Sequence, residues 1–526
     1  MKKAILLLLF TILALSGFKK HTEINQPPDI QLIPWPEEIS FFNNSFELTD
    51  KTVIKADKSL QFITGQLRNY LEPATGYLIP VKARTFGRNV IELKLDKNLS
   101  SLGDEGYKLN ITSKKVQIIA YNQEGIFWGI QTLRQLFPVE ILREAKMEGV
   151  QWELPCLNIV DKPRFKWRGL MIDYSRTFWN SGLTKKYIDV LAYYKFNKLH
   201  MHLTDNQGWR VEIDKYPDLT LKASKFHPQY NEPKENEGFY TKEDIRELIA
   251  YAKERNIELI PEIEMPAHAG AVFAAYPEYS CRGDTLIIHP QRLRPKIRTE
   301  IFCPGKEETF EFLENILAEV GDLFPTEYVH IGGDEAPKAI WEECPDCQRV
   351  IREQELPNET ELQCWFTRRI ENYLIGRNKK LIGWDEIAQG GLSKTAVVMY
   401  WDPKREEAVL SALKQGNKVI MSPLSHLYFD YTYERISTER VYSFEPFSGK
   451  FHDANPNQIM GVQANFWSHI DRTEPAMDRQ IFPRLLALAE VGWTEKSNRN
   501  WDSFQKRLNP HFNALNLMNV YYADEN

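Results

Sequence analysis

Short apolar runs alternate with amphipathic helical patterns from about residue 164 towards the C-terminus. Between the runs, segment 184–197 has a helical apolar face, and segment 241–255 opens with Thr241 and Asp244 at capping-box spacing. Strands that alternate with helices predict parallel βα units, and eight units predict an α/β fold with a closed (β/α)8 TIM barrel. An open doubly wound sheet is the structural alternative, but no Gly-rich phosphate turn follows the first run. The eight runs cover residues 169–173, 198–203, 258–264, 328–332, 380–384, 396–400, 418–421 and 461–466.

A different pattern precedes the barrel and predicts a small α+β domain. Runs 107–111 and 116–120 are β-branched or alternating and flank a polar tetrapeptide, which predicts a hairpin. Segment 124–137 then carries apolar residues at helical spacing. The predicted organisation is therefore a signal peptide at 1–20, an N-terminal α+β domain at 21–160, the barrel at 161–515 and a C-terminal tail at 516–526.

The first residues have the pattern of a secretory signal. Lys2 and Lys3 precede the uncharged apolar run 4–15, and the small residues Ser16 and Gly17 follow it. An N-terminal anchor helix is the alternative, although the run is short for a membrane span. The first cysteine is Cys156, so the pattern of a lipid-anchored form is missing. We expect an exported protein, periplasmic or secreted.

Charge and composition narrow the class of partner. The 526 residues carry 66 Lys and Arg against 72 Asp and Glu, a formal net charge of −6. This balance argues against a nucleic-acid partner, because phosphate binding needs a concentrated basic face. After the N-terminal run, no stretch reaches the roughly 18 consecutive apolar residues of a membrane span, so no membrane-spanning segment is expected.

Six cysteines are too few for a disulfide scaffold. Cys281 and Cys303 could close a loop, and Cys344 and Cys347 have CxxC spacing. A zinc site usually needs four ligands, and the sequence has no second CxxC. The pattern favours local disulfides or loop thiols over metal or redox chemistry.

Polar and aromatic residues follow every one of the eight runs, where TIM barrels place their active sites. Carboxylates, an arginine and aromatic rings together are typical of a carbohydrate site. The adjacent Asp334 and Glu335 could supply a general acid whose pKa is raised by its charged neighbour. In strand order, the candidates are Arg176, Asp205, His268, Asp334 with Glu335, Trp384, Trp401, Tyr428 with Asp430, and Trp467.

Four motifs together resemble one family. HIGGDE at 330–335 resembles the catalytic motif of glycoside hydrolase family 20, the β-N-acetylhexosaminidases. HMHLTDNQGWR at 200–210, PEIEMPAH at 261–268 and GWDE at 383–386 resemble that family's second-, third- and fifth-strand signatures. The likeness covers nearly the whole mature chain, including the small domain before the barrel.

The resemblance implies substrate-assisted retaining hydrolysis of a terminal N-acetylhexosamine. The substrate's acetamido oxygen would attack its own anomeric carbon to form an oxazolinium, so no protein nucleophile and no metal or organic cofactor is implied. Glu335 would be the general acid and then the base. Asp334 would hold the acetamido N–H, Tyr428 would donate to the acetamido oxygen, and Asp205 and His268 would form a relay to Glu335.

The resemblance also assigns the remaining residues to substrate contacts. Arg176 would bind O3 and O4 of the sugar. Three tryptophans would enclose the acetamido methyl group: Trp384, Trp401 and Trp467.

Two positions depart from the family pattern. The residue two after Trp467 is commonly a carboxylate that holds O4 and O6, and here it is His469. Asn206 stands where a second Asp is common. Loss of a carboxylate removes repulsion towards an anionic O6 substituent, so we expect 6-sulfated GlcNAc to be accepted. Asp430 remains at the same edge, and the alternative is that a neighbouring loop restores the O4 and O6 contact.

Two other functions stay open. A two-carboxylate glycosidase would pair Glu335 with Glu262 or Glu264 and would not need a 2-acetamido group. A glycan-binding protein without catalysis is the second alternative. The sequence leaves the natural glycan, its linkage, the choice between GlcNAc and GalNAc, and the oligomeric state undecided.

Overall fold

The computed structural model describes residues 30–85, 87–291 and 300–525. The predicted signal peptide lies outside these residues. In the described part of the chain, no helix is both long enough and apolar enough to cross a bilayer.

The N-terminal domain is a seven-stranded mixed sheet in the order β1-β7-β5-β6-β4-β2-β3. The predicted hairpin is present, with Tyr107 paired to Ala120 and Thr112 to Lys115 in an antiparallel ladder. The helix that follows buries Ile126, Ile130 and Leu133, as its spacing predicts. The strands of this domain are β1 Glu38–Glu47, β2 Val53–Lys55, β3 Val81–Lys82, β4 Val90–Leu95, β5 Tyr107–Thr112, β6 Lys115–Ala120 and β7 Glu153–Asp161. Its helices are α1 Gln61–Thr75 and α2 Gln123–Leu136.

Eight parallel strands close into a barrel in the order β12-β13-β14-β15-β16-β17-β8-β9. The (β/α)8 prediction is confirmed, and each of the eight apolar runs coincides with one barrel strand, although two of the strands begin two residues before their runs, at Trp167 and Ile459. The barrel strands are β8 Trp167–Asp173, β9 Lys198–His202, β12 Glu258–Glu262, β13 Tyr328–His330, β14 Lys380–Trp384, β15 Val397–Tyr400, β16 Lys418–Met421 and β17 Ile459–Phe466. A short antiparallel pair, β10 Thr204–Asp205 and β11 Gly208–Trp209, follows β9.

Helices surround the barrel and connect its strands. The helix Lys242–Lys253 begins after Thr241, where the predicted capping box with Asp244 is formed. The last ends at Leu517, and the chain beyond it packs back on the barrel through buried Val520. The helices are α3 Ser181–Tyr193, α4 Asp218–Leu221, α5 Lys242–Lys253, α6 Gly270–Ala275, α7 Glu307–Leu323, α8 Ala339–Glu343, α9 Pro345–Glu353, α10 Glu359–Gly376, α11 Glu406–Gln415, α12 Thr438–Ser443, α13 Glu474–Ile481, α14 Arg484–Trp493 and α15 Trp501–Leu517.

A buried polar cluster joins the two domains. Asp161 at the end of β7 accepts hydrogen bonds from Lys195 Nζ (2.9 Å), Tyr107 OH (2.6 Å) and Trp493 Nε1 (2.9 Å). Lys195 lies just before β9, at the N-terminal end of that strand. The domain contact is therefore at the opposite end of the barrel from the strand ends that carry the candidate site.

Candidate active site

The turn after β13 gives Asp334 and Glu335 different exposures. Gly332 and Gly333 have φ of +66° and +93°, and Glu335 has φ of +49°. A Cβ at Gly332 would lie 1.7 Å from Glu264 Oε2, so only glycine fits there. The Asp334 side chain is 13% exposed, whereas that of Glu335 is 62% exposed. The turn therefore directs one carboxylate inward and its neighbour towards solvent.

His268 connects this carboxylate pair to a buried aspartate. Its Nε2 lies 3.5 Å from Asp334 Oδ2 and 3.4 Å from Glu335 Oε2. Its Nδ1 lies 3.1 Å from Asp205 Oδ1, and the other oxygen of Asp205 is 2.6 Å from Arg176 Nη2. The structure thus brings together five predicted site residues from four strand ends, including the predicted relay of Asp205 and His268.

Burial and hydrogen bonding separate the pKa values of the pair. Burial raises the pKa of Asp334 to about 7, and nearby Glu386, Glu262 and Glu335 act in the same direction against His268. The neighbouring His268 imidazole, whose Nε2 lies 3.4 Å from Glu335 Oε2, is the main cause that lowers the pKa of Glu335. Burial lowers the pKa of His268, but Asp205 and Asp334 together raise it well above its usual value. Asp334 is thus the member of the pair with a raised pKa, mainly through burial and only in smaller part through its charged neighbour Glu335.

Four aromatic side chains form one continuous wall at this end of the barrel. The ring centroids of Trp384 and Trp467 are 5.9 Å apart, those of Trp467 and Tyr428 6.2 Å, and those of Tyr428 and Trp401 6.0 Å. Trp384 is only 1% exposed, so it is the most deeply buried member of the wall. Hydrogen bonds fix two of the indoles, from Trp384 Nε1 to Glu262 (2.9 Å) and from Trp401 Nε1 to Glu386 (3.0 Å).

The remaining predicted residues, with Arg176, lie in the loops that follow β8, β16 and β17. Arg176 pairs with Asp173 (3.1 Å) and its guanidinium lies 4.9 Å from the Trp467 ring centroid. Burial raises the pKa of Asp430 to about 7, and the positive charges of Arg484 and Arg176 oppose that shift. His469 is half-buried in the turn after β17. The preceding backbone N–H, of Ser468, donates to Asp173 (3.2 Å), so this turn and Arg176 share one partner.

Sequence reasoning missed the part played by Glu386. Its carboxylate accepts from Trp401 Nε1 (3.0 Å) and from the backbone N–H of Glu335 (3.4 Å), and it pairs with Arg405 (3.0 Å). Asp385, its neighbour, accepts the backbone N–H of Trp401 (2.9 Å). The motif GWDE places two consecutive carboxylates directly after a buried strand, and this pattern could have identified Glu386 as a site residue.

The two carboxylates that the alternative glycosidase would use are both enclosed. Glu262 is fully buried and accepts from His202 Nδ1 (2.6 Å) and Trp384 Nε1 (2.9 Å). Glu264 is also buried, and burial raises its pKa well above the usual value. Neither presents an ionised carboxylate towards the cleft.

Family models agree with this geometry. The model described as glycosyl hydrolase family 20, catalytic domain, matches residues 165–496, and that of family 20, domain 2, matches residues 29–162. The chain belongs to glycoside hydrolase family 20. A β-hexosaminidase of Porphyromonas gingivalis is 35% identical over 98% of this chain and 67% of its own length. A β-hexosaminidase of Akkermansia muciniphila is 32% identical over 86% of this chain and 94% of its own length.

A solved structure agrees as well. The β-hexosaminidase of Streptomyces plicatus, determined as a mutant in complex with the product GlcNAc, has a TM-score of 0.83 and 30% identity. The match covers 95% of this chain and 97% of that one. This family 20 chain is therefore a glycoside hydrolase with β-hexosaminidase activity.

Proposed function

We propose that the chain is an exo-acting β-N-acetylhexosaminidase in which the 2-acetamido group of the substrate is the nucleophile. The observation that carries the proposal is the paired geometry of Asp334 and Glu335. One is buried and one exposed, both lie within 3.5 Å of His268 Nε2, and an aromatic wall stands beside them. This arrangement offers one proton donor to the leaving group and one fixed charge to the acetamido group.

In the first step, Glu335 transfers its proton to the glycosidic oxygen while the bond from that oxygen to the anomeric carbon breaks. The acetamido oxygen forms a bond to the same carbon, which gives an oxazolinium and releases the aglycone alcohol. Asp334 accepts the acetamido N–H and offsets the developing positive charge, and Tyr428 donates to the acetamido oxygen. In the second step, Glu335 takes a proton from water, whose oxygen attacks the anomeric carbon and restores the acetamide with net retention.

The relay supports the two protonation states that Glu335 needs. His268 lies between Asp205 and Glu335, and its raised pKa makes it a cationic hydrogen-bond donor. In the free chain this donor favours the carboxylate form of Glu335. A bound sugar that covers Glu335 would exclude water and raise its pKa towards the protonated form required for the first step.

Substrate and variant kinetics test the mechanism. We expect turnover of 4-nitrophenyl β-N-acetylglucosaminide and the β-N-acetylgalactosaminide, and none of the β-glucoside, which lacks the acetamido group. Glu335→Gln should lower kcat by about 10²–10⁴-fold, with the smallest loss for the aryl leaving groups that need least protonation. Glu353→Gln, an exposed carboxylate on α9, is the matched control. Efficient hydrolysis of the β-glucoside would favour the two-carboxylate alternative, and unchanged kcat in Glu335→Gln would refute the proposal.

We also propose that the enzyme accepts 6-sulfated GlcNAc. The support is His469, which places an imidazole instead of a carboxylate in the turn after Trp467. The preceding residue, Ser468, binds Asp173 through its backbone N–H, and Arg176 binds the same carboxylate. Initial rates on the plain and the 6-sulfated aryl glycoside, measured side by side, should be comparable. His469→Glu should shift the ratio towards the plain sugar, whereas the exposed His452→Glu should not. An unchanged ratio in His469→Glu would mean that another loop determines the preference.

Export is a further proposal, supported by the charged, apolar and small-residue order of residues 2–17. Expression of the full chain in a bacterial host, followed by N-terminal sequencing of the periplasmic or medium fraction, should find a new N-terminus shortly after residue 17. Recovery of the intact N-terminus in the cytoplasmic fraction would contradict export.

A further inference from the structure

Four cysteines from three separate segments meet beside the barrel. Cys281 follows α6, Cys303 precedes α7, and Cys344 and Cys347 lie at the start of α9. The four sulfur atoms all lie within 4.8 Å of one another. Cys281 Sγ is 3.6 Å from Cys347 Sγ, and Cys303 Sγ is 3.6 Å from the sulfurs of both Cys344 and Cys347.

These distances correspond to a metal tetrahedron. Four thiolates at about 2.3 Å from a zinc ion stand about 3.8 Å from one another along the edges of the tetrahedron. A disulfide requires about 2.05 Å, and the closest pairs cross between segments. Cys281 approaches Cys347, whereas the sequence spacing suggested Cys281 with Cys303 and Cys344 with Cys347.

The surroundings of the four sulfur atoms are largely closed to solvent. Cys303, Cys344 and Cys347 are buried and Cys281 is half-buried, so the sulfurs are shielded from water on most sides. Cys344 is the N-cap of α9, where the positive end of the helix favours a thiolate. An apolar shell of Ala267, Ile301, Ile340, Trp341, Val350 and Leu362 encloses the sulfurs.

Backbone hydrogen bonds hold the segments in register. Ser280 and Phe302 form an antiparallel bridge, which places Cys281 opposite Ile301 and Cys303 opposite Tyr279 and so brings the two cysteine-bearing segments together. The Cys303 N–H donates to Tyr279 O (3.0 Å), and Trp341 Nε1 donates to Phe302 O (3.0 Å), which ties this bridge to α8. The sulfur positions are therefore fixed by the fold of three segments together.

We propose that Cys281, Cys303, Cys344 and Cys347 bind one structural zinc ion. Four sulfur ligands fill a tetrahedral coordination shell and leave no position for substrate, which is the property of a structural site. Sulfur-only tetrahedral sites select zinc or iron among biological metals, and we assign zinc here. In place of a second CxxC, the other two ligands, Cys281 and Cys303, are 22 residues apart in sequence, and the bridge of Ser280 and Phe302 brings their segments together.

The ion would link two loops that carry the proposed catalytic groups. The Phe302 N–H donates to Pro266 O (3.0 Å), two residues before His268. Ala336, directly after Glu335, packs against the same apolar shell. A zinc ion here would hold the loop after β12 and the loop after β13 in fixed relation, so His268 keeps its distance from Asp334 and Glu335. The ion would then fix the positions of His268, Asp334 and Glu335 but would take no part in the reaction.

Metal content and thiol count of the full chain test the proposal without reference to activity. Protein purified without chelator or reductant should contain about one zinc per chain by plasma mass spectrometry. After denaturation with chelator, a thiol reagent should titrate all six cysteines. Two disulfides among the four would leave only Cys156 and Cys364 to react. A count of two thiols, a count of six without zinc, or iron in place of zinc would each overturn the proposal.

Variants locate the ion. Cys281→Ser and Cys347→Ser should reduce bound zinc to less than about a tenth of the wild-type content, because three thiolates bind far more weakly than four. Cys364→Ser, a buried cysteine on α10 outside the cluster, is the matched control and should keep its zinc. Co²⁺ substitution adds a spectroscopic test: thiolate-to-cobalt absorption should appear in the wild type and in Cys364→Ser. Full zinc retention in both cluster variants would refute the assignment.

Discussion

Asp334 and Glu335 are adjacent in the chain but have opposite environments. Burial raises the pKa of Asp334 to about 7, whereas the neighbouring His268 lowers the pKa of Glu335 in the free chain. In the proposed mechanism the two residues exchange these protonation states when a sugar binds, because Glu335 would then be covered and a positive oxazolinium would stabilise the charge on Asp334. The site is therefore arranged for the complex and not for the empty cleft.

The raised pKa of Asp334 predicts a pH-dependent effect on stability. Between its unfolded value of 3.8 and about 7, the folded chain binds a proton that the unfolded chain has released, so the free energy of unfolding falls as pH rises. Asp334→Asn removes this cost, which is on the order of 1–4 kcal/mol when fully developed. The Tm of the variant should exceed that of the wild type at pH 8 by more than at pH 5. Calorimetry at both values measures the difference, and a lower Tm for Asp334→Asn at pH 8 would contradict it.

The sequence predicted which residues meet at the site but not their burial. Strand-end position identified Arg176, Asp205, His268, Asp334 and Glu335, because parallel strands in a barrel end on the same face. The environment of each residue depends on backbone dihedrals and on neighbours distant in sequence. At Gly332, for example, the carboxylate of Glu264 fills the space that a Cβ would need.

Elements formed by local interactions follow the sequence closely. The hairpin of β5 and β6, helix α2 and the capped start of α5 each depend on neighbours within a few residues. Hydrophobic periodicity does not predict which distant segments pair with each other. Strand β1 pairs with β7 more than a hundred residues later, with Glu38 opposite Val160. Likewise, the four clustered cysteines come together only after two barrel loops have folded.

The capping box of α5 gives a prediction at this scale. Thr241 Oγ1 accepts the Asp244 N–H (3.1 Å), and the Asp244 carboxylate accepts the Thr241 N–H (2.9 Å). Thr241→Ala should lower the free energy of unfolding by about 1 kcal/mol, because it leaves a donor of the first turn without its partner. Thr241→Ser keeps the hydroxyl and should retain most of the stability. Urea unfolding of the three proteins measures the effect, and equal losses in both variants would show that the hydroxyl is not the cause.

At the scale of the whole molecule, buried ion pairs join the two domains. Lys195 Nζ donates to Asp161 Oδ2 (2.9 Å) and Tyr107 OH (2.9 Å), and it lies 4.3 Å from the Trp493 ring centroid. A second pair, Arg168 with Glu105 (2.6 Å), lies between the same domains. Both contacts are at the strand starts of β8 and β9, far from the catalytic strand ends. Through these contacts the N-terminal domain therefore contributes to the stability of the barrel at the end opposite the proposed substrate cleft.

Removal of the Lys195 charge should separate stability from catalysis. Lys195→Met leaves Asp161 buried and without its cation, a loss that costs about 3–5 kcal/mol. Tm should fall strongly, while kcat at 25 °C on an aryl N-acetylglucosaminide should stay near the wild-type value, because the active site lies at the other end of the barrel. Lys195→Met combined with Asp161→Asn removes both charges and should recover part of the lost stability, since a neutral amide is less costly to bury than an unpaired carboxylate. If the double variant were as unstable as the sum of the two single variants, the ion pair would not be the source of the domain coupling, and packing of Tyr107 and Trp493 would have to supply it.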